Sequence, residues 1–117
     1  MIDVECTDYL SVPVRDLERA ITFYAETLGI PRNPRAPERN PEFEAGNLTI
    51  SLREDADATP STAYIALRVA DVTVARDRLE SSGVEFQTET FDTGVCHVAF
   101  FADPDGNALA LHRRYAP

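Results

Sequence analysis

An internal repeat is the feature that most restricts what this chain of 117 residues can fold into. The segment Tyr9–Gly29 reads as a strand, an aspartate cap, an amphipathic helix and a glycine stop, and Tyr64–Gly83 has the same layout. The copies are offset by 55 residues, the separation of their leading tyrosines, so that Asp16 falls on Asp71. A period near half the length indicates two copies of one supersecondary unit.

The first copy is predicted to contain one helix and a set of strands around it. Asp16 is expected to cap the helix and Gly29 to stop it. Four of the eight prolines fall in Pro31–Pro41, which is therefore predicted to be an extended loop with at most one short edge strand. Gly46 and Asn47 suit the positive φ angles of a tight hairpin turn. The predicted elements are a strand over Thr7–Val14, a helical stripe from Leu17 to Leu28, and strands over Glu42–Ala45 and Leu48–Arg53.

The second copy repeats this order and ends in a hairpin. Asp103-Pro104-Asp105-Gly106 predicts a three-residue loop with a bulge, in which Gly106 takes the left-handed conformation. That loop would pair Phe100 with Ala110 and Val98 with His112, whereas a two-residue turn would reverse the faces. The predicted elements are strands over Ala63–Val69, Val84–Thr88, Val95–Phe101 and Ala108–His112, a helix over Val72–Ser82, and a loop around Phe91–Gly94.

The predicted fold class is α+β, with two paired βαβββ modules whose curved mixed sheets enclose a cleft. The modules would be residues 1–57 and 60–117 of one domain, 1–117. A helix covers one face of each sheet, and the other face needs its twin to close it. Function is therefore expected where the two copies face each other.

Charge and hydropathy narrow the kinds of partner. The formal net charge is −9, and all eleven basic residues are arginine. Nucleic acid is disfavoured because phosphate repels this charge, whereas a cationic ligand would be attracted. No window of 18 apolar residues predicts a membrane span, and no signal peptide is visible. Cys6 and Cys96 are read as small buried hydrophobes, which favours a cytoplasmic location.

Two stretches, VPVRDLERAITFYAETLG and FFADPDGNALAL, resemble the vicinal oxygen chelate superfamily. That group contains glyoxalase I, extradiol dioxygenases, fosfomycin resistance enzymes and bleomycin resistance proteins. The resemblance covers essentially the whole chain. It implies paired βαβββ modules, a homodimer, and a small-molecule site in the cleft, with the modules paired within one chain or across a swapped dimer.

The resemblance also implies a divalent metal held by the first and last strands of each module. Carried over position by position, its ligands fall on Tyr9, Ser51, Tyr64 and Ala110. A phenol with a pKa near ~10 is a poor ligand at neutral pH, serine is weaker, and alanine has no donor. We therefore expect no metal and no other cofactor.

Strand alternation predicts what lines the cleft instead. Aromatic rings with a few polar groups suit a flat organic molecule, and tyrosine faces attract cations. The alternation places Cys96 and Phe100 on the cleft face and His97 on the other. The predicted ligand-binding residues are Tyr9, Ser51, Arg53, Tyr64, Cys96, Phe100, Ala110 and His112.

Alternatives stand beside each assignment, and no catalytic residue is identified. The tyrosines could simply fill a disused cleft, His112 could be a general base or a solvated terminal residue, and Cys96 has no identified partner for nucleophilic chemistry. Arg53 and Arg68 could bind an anionic substrate or be surface charges at strand ends. The leading hypothesis is a metal-free protein that sequesters a planar or cationic molecule. The others are a superfamily enzyme of lyase, isomerase or dioxygenase type, with a metal-independent or misaligned site, and a module without a ligand.

Overall fold

A computed structural model describes all residues, Met1–Pro117, as two compact units. Unit 1 is Met1–Thr59 and unit 2 is Pro60–Pro117. Each unit has its own sheet, one face of which carries a helix. That the two belong to one domain stays a prediction.

Unit 1 has a three-stranded mixed sheet in the order β1-β3-β2. The first strand, predicted from Thr7, begins only at Leu10, because its partner β3 begins at Thr49 and the ladder starts at the pair Leu10 and Ile50. The elements are β1 (Leu10–Val14), α1 (Leu17–Thr22), a π-helical turn (Phe23–Thr27), β2 (Glu42–Glu44) and β3 (Thr49–Glu54). β3 runs parallel to β1 and antiparallel to β2.

The helix of unit 1 begins as predicted but changes its winding. Asp16 accepts a hydrogen bond from the Arg19 amide at 3.1 Å, which satisfies one free donor of the first turn. From Phe23 onward the helix is wider, and the Leu28 amide donates to the Phe23 carbonyl. The predicted stripe from Leu17 to Leu28 faces inward, with Ala20 and Tyr24 buried, and the wider turn also buries Phe23 beside Tyr24.

The proline-rich segment supplies the short edge pairing that was expected. The Asn33 amide donates to the Glu42 carbonyl, and the Glu44 amide donates to the Pro31 carbonyl, both at 2.8 Å. These bonds surround a single bridge between Arg32 and Phe43. Pro34 and Pro41 flank this pairing, and proline has no amide proton to donate, so the pairing does not extend beyond them.

The hairpin between β2 and β3 turns at the predicted residues with a different geometry. The Ala45 amide donates to the Leu48 carbonyl at 2.9 Å, so Gly46 and Asn47 are the two turn residues. Gly46 has a φ of 74°, but no residue other than glycine has a positive φ. The prediction that Asn47 has a positive φ is wrong. A two-residue turn with glycine at its first position needs a positive φ only at that glycine, which here is Gly46.

Unit 2 has a four-stranded sheet in the order β4-β7-β6-β5. Its elements are β4 (Ile65–Arg68), α2 (Val72–Ser81), β5 (Phe91–Asp92), β6 (Cys96–Ala102) and β7 (Ala108–Arg114). As in unit 1, the first strand is parallel to the last one. Asp71 caps α2 by accepting from the Val74 amide at 3.0 Å, as its counterpart Asp16 does for α1.

The outer strand of unit 2 lies later in the chain than predicted. Phe91–Asp92, expected in a loop, is β5, and Val84–Thr88 contributes only the bridge of Phe86 to Phe101. Phe91 pairs with Val98, so five steps from Phe86 to Phe91 oppose three steps on β6. The extra residues bulge out and break the ladder, which is why no continuous strand forms.

The β6–β7 hairpin forms as predicted. The Gly106 amide donates to the Asp103 carbonyl at 2.9 Å, and Gly106 has a φ of 87°. The buried Asp103 carboxylate accepts from the amides of Asp105 and Asn107, both at 2.9 Å. The predicted register, Phe100 with Ala110 and Val98 with His112, is confirmed.

The predicted fold class is confirmed: two sheets with helices, α+β, built from two βαβββ-type units. In unit 1 the second strand of that pattern is reduced to the Arg32 bridge. None of the helices has the length and apolar character needed to cross a membrane.

Candidate functional site

Unit 2 has one sheet face that packs on its helix and one that carries the predicted site residues. α2 contacts β6 and β7. Alternation along the strands places the other set of side chains on the opposite face, which we call the open face. The helix side buries Ala99, Phe101, Leu109 and Leu111.

Three aromatic side chains, the aromatic cluster Tyr64, Phe91 and Phe100, gather on the open face. Tyr64 and Phe100 meet edge to face with centroids 5.2 Å apart and planes at 89°. Phe91 and Phe100 are 6.2 Å apart at 70°. Tyr64 and Phe91 remain 53% and 49% exposed, so large apolar surface is available for contact.

Small residues on β7 explain how the rings meet. Tyr64 directly precedes β4, and Phe100 lies on β6, while β7 runs between these two strands. Adjacent strands are ~4.8 Å apart, so the two rings must reach each other above β7. Ala66 and Ala110 are directly paired there, and Ala110 is fully buried. A larger side chain at Ala110 would occupy the space in which the rings meet.

The open face changes from aromatic to basic along the strands. Arg68 is paired with His112 on β7, and Arg114 lies two residues further on the same face, paired with Cys96 on β6. A cavity of about 380 Å³ is lined by Arg68, His112, Arg113, Arg114, Tyr115, Ala116 and Pro117. Two predicted residues, Cys96 and His112, thus share this face with the aromatic cluster.

Unit 1 presents a polar face instead. Ser51 is 6% exposed and is paired with Ser11 on one side and Glu42 on the other. Arg53 donates through Nε to the Ser11 hydroxyl at 3.1 Å and lies 3.7 Å from the Asp55 carboxylate. Of the predicted ligand-binding residues on the strands of unit 1, Ser51 is therefore buried, and the Arg53 side chain is bonded to Ser11 and Asp55 of the same unit.

Tyr9 directly precedes β1, as Tyr64 precedes β4, and is 60% exposed. No ring contact of Tyr9 resembles that between Tyr64 and Phe100. The repeat therefore reproduces the position of the tyrosine in the chain but not its surroundings.

The prediction that both cysteines are buried is wrong. Cys6 is exposed in a segment without regular structure, and Cys96 is half-buried at the start of β6. The Cys96 amide donates to the Thr93 hydroxyl at 2.9 Å. Burial of the cysteines therefore no longer supports a cytoplasmic location.

His97 lies on the opposite face from Cys96, as expected, and takes part in an edge cluster that the sequence did not suggest. Its ring stacks on Tyr115, with centroids 4.7 Å apart, and its Nε2 lies 3.6 Å from the Asp92 carboxylate. The Tyr115 hydroxyl donates to Asp92 at 2.7 Å. That bond, supported by the Gly94 amide, lowers the pKa of Asp92, and the bond to Asp92 raises the pKa of Tyr115.

The positions that would hold a divalent metal can be compared within each unit. Ser51 pairs with Ser11 and Ala110 pairs with Ala66, and these partners are separated by the same 55 residues as the repeat. Ser51 and Ala110 are thus equivalent. No three His, Cys, Asp or Glu side chains in the chain are grouped closely enough to hold a metal ion. Together with Tyr9 and Tyr64, this donor set does not fit a divalent metal.

Fold and site together define a protein of two βαβββ-type units whose strand ends carry aromatic, hydroxyl and methyl groups. The family model for the Glyoxalase/Bleomycin resistance protein/Dioxygenase superfamily matches residues 7–111. The chain belongs to this superfamily.

Similar proteins include an antibiotic binding protein, a glyoxalase/bleomycin resistance protein and a glutathione transferase. TnmS3, an antibiotic binding protein from Streptomyces sp. CB03234, is 27% identical with a TM-score of 0.82, covering 97% of this chain and 99% of that one. A glyoxalase/bleomycin resistance protein from the same Streptomyces is 30% identical with a TM-score of 0.73, covering 88% and 96%. Glutathione transferase FosA of Serratia marcescens is 27% identical over 93% of this chain and 81% of its own length.

Two residues of the open face were missed by sequence reasoning. Phe91 was assigned to a loop, and correct placement of β5 would have put it on the face of Val98. Arg114 was left outside the last strand, which was predicted to end at His112 but continues to Arg114. Extending the predicted last strand by two residues would have placed Arg114 on the open face.

Proposed function

We propose that this protein binds a small planar organic molecule on the open face of unit 2 and acts by sequestering it, as in drug resistance. The observation that carries the proposal is the edge-to-face contact of Tyr64 with Phe100, beside a Phe91 ring that remains 49% exposed. Exposed rings held in fixed orientations give a flat ligand apolar area at little cost in side-chain entropy.

Side-chain size beside the rings supports the same reading. Ala66 is exposed next to the buried Ala110, so no long side chain competes with a ligand for the surface between Tyr64 and Phe100. Cys96, His112 and Arg68 provide polar groups on the same face, which would fix the orientation of a bound molecule. The antibiotic binding protein TnmS3, 27% identical, is an instance of this fold used for binding.

Of the two ligand chemistries predicted, the planar one has the stronger support. A cationic ligand was inferred from the net charge of −9 and the tyrosine faces. However, the charged residues that share the open face with the aromatic cluster are arginines. A cation placed there would be repelled locally, whatever the charge of the whole chain.

Tyr9, Ser51 and Arg53 remain proposed ligand contacts of unit 1. Tyr9 is exposed, and the Arg53 side chain is half-exposed despite its bonds to Ser11 and Asp55. We also propose that the protein is a homodimer, as the family resemblance implies, and that it is cytoplasmic.

A superfamily enzyme is the second candidate, and the 27% identity to glutathione transferase FosA favours it. Such an enzyme would have the phenol, hydroxyl and methyl groups of Tyr9, Tyr64, Ser51 and Ala110 at the positions of the metal ligands, or would use residues elsewhere in the chain. No chemical step is assigned to it, because no general base or nucleophile is positioned on the open face with an orienting partner.

A binding screen tests the proposal. Thermal shifts are measured with polycyclic aromatic compounds, since a true ligand at free concentration L stabilises the native state by RT ln(1 + L/Kd) and the midpoint therefore rises with ligand concentration. Hits are repeated with Tyr64→Leu, and with Val74→Ala on the exposed side of α2 as control. Shifts that are lost only in Tyr64→Leu support the proposal. Equal shifts in all three proteins, or none with any planar compound, contradict it.

A further inference from the structure

We propose that unit 2 contains an anion-binding subsite formed by Arg68, His112 and Arg114, and that the natural ligand is a planar molecule carrying an acidic group. The ligand class rests on the function proposed above, whereas anion binding itself does not. The acidic group would be a carboxylate, sulfonate or phosphate, all of which present oxygens to guanidinium groups.

The strand register brings these three side chains together. Arg68 on β4 is directly paired with His112 on the parallel strand β7. Arg114 follows His112 by two residues, so its side chain leaves the same face of the sheet. Residues two apart on a strand are separated by ~6.6 Å, which allows one acidic group to be reached from all three positions.

Arg68 and Arg114 are unpaired in a chain that has many carboxylates. The sequence contains twenty acidic residues against eleven basic ones. Two other arginines are paired with such residues, Arg53 with Asp55 and Arg76 with Glu80. Neither Arg68 nor Arg114 forms a salt bridge or side-chain hydrogen bond within the chain. Clustered like charges repel each other, and an anion would relieve that repulsion.

The cavity at this place has room for the group. Its volume of about 380 Å³ lies in the size range of small-molecule sites. Arg68 and His112 line it together with Arg113, whose pairing with His97 places it on the other face of the strand. The cavity thus has a third guanidinium within its walls.

The position of the subsite relative to the rings sets the size of the ligand. Ala66 and Ala110 form the pair beneath the aromatic cluster, and Arg68 and His112 form the pair two residues further along the same two strands. The two levels are therefore ~6.6 Å apart. A fused two- or three-ring acid spans this distance, with its rings against Phe100 and its acidic group toward Arg68.

Inorganic sulfate tests the subsite without any planar ligand. The arginine Nε–H signals of Arg68 and Arg114 are followed by NMR during a sulfate titration at low ionic strength. Saturable shifts confined to these signals support the proposal. Shifts that are linear in sulfate, or equal at exposed Arg35 and Arg78, show only general screening and overturn it.

A pair of probes then tests the ligand class. Binding of 2-naphthoate and the neutral 2-naphthamide is measured by calorimetry on the wild type and on Arg68→Gln/Arg114→Gln. The control Arg35→Gln/Arg78→Gln removes two arginines of unit 1 and α2 that line no part of the cavity. We expect the acid to bind about tenfold more tightly than the amide, and this preference to vanish only in the first double variant.

The outcomes separate the two proposals. Equal binding of both probes leaves planar binding intact and overturns the acidic ligand. A preference for the acid that survives in Arg68→Gln/Arg114→Gln overturns the assigned residues. Binding of neither probe counts against the proposed function for two-ring compounds, and the sulfate titration then decides on the subsite alone.

Discussion

Tyr64 packs edge to face on Phe100, with 5.2 Å between ring centroids, although their strands are separated by a third one. The contact is possible because the intervening β7 contributes alanine at this level. Alanine thus occupies the position where the superfamily resemblance implies a metal ligand, and its small size makes room for aromatic rings.

Tyr64→Ala should weaken any planar ligand by about 1–2 kcal/mol, because an aromatic stacking contact contributes about that much. Calorimetric titration of a screened ligand measures the loss. The fold should be retained, since the side chain is 53% exposed. Tyr64→Phe keeps the ring and should keep most of the affinity. Unchanged affinity in Tyr64→Ala would remove this residue from the site.

Gly106→Ala should destabilise unit 2 by more than the usual ~1–2 kcal/mol for a left-handed residue. The φ of 87° is strained for alanine, and the added Cβ would lie 3.2 Å from Pro60 Cγ. Gly94→Ala is the matched control, because its φ is 95° but nothing lies within 4 Å of its Cβ. Urea unfolding measures both. Equal losses would mean that the contact with Pro60 adds nothing.

The hairpin shows why part of this fold could be predicted. Asp103-Pro104-Asp105-Gly106 determines its own turn through local hydrogen bonds and the left-handed glycine, so the β6–β7 register was predictable to the residue. The two aspartate caps are local in the same way. The superfamily resemblance placed Ser51 and Ala110 at equivalent positions, and their strand partners Ser11 and Ala66, which are 55 residues apart, agree with that match.

The parts that could not be predicted depend on contacts distant in sequence. β5 pairs with β6 only after a bulge of two extra residues, a choice that no local pattern reveals. The bond of Tyr115 to Asp92 joins residues 23 apart in the chain. Neither the widened turn at Phe23 nor the continuation of β7 to Arg114 has a signature in hydrophobic periodicity.

The Asp92–Tyr115 pair should make stability depend on pH at both ends of the scale. The pKa of Asp92 is below its usual 3.8 in the folded state, so this stabilisation is present above 3.8 and is lost as the pH falls through the lowered value. The pKa of Tyr115 is raised above 10.0, so its share is present below 10.0 and is lost as the pH rises further.

Tyr115→Phe tests this pair, since it removes the hydroxyl but keeps the ring that stacks on His97. Stability from urea unfolding is compared with wild type between pH 3 and 11. The difference should be constant near neutrality and shrink at both extremes. A difference that stays the same across the whole range would show that the hydrogen bond does not couple to either titration.

Metal analysis tests the donor set directly. The protein is incubated with Zn²⁺, Ni²⁺, Mn²⁺ or Fe²⁺, dialysed, and analysed by mass spectrometry for bound metal. We expect well below one equivalent, because the phenols of Tyr9 and Tyr64 are poor ligands for a divalent metal, Ser51 is a weak donor and Ala110 has none. A parallel sample dialysed with EDTA gives the background. One equivalent that survives dialysis would contradict this expectation and direct the search for function to the enzymes of the superfamily.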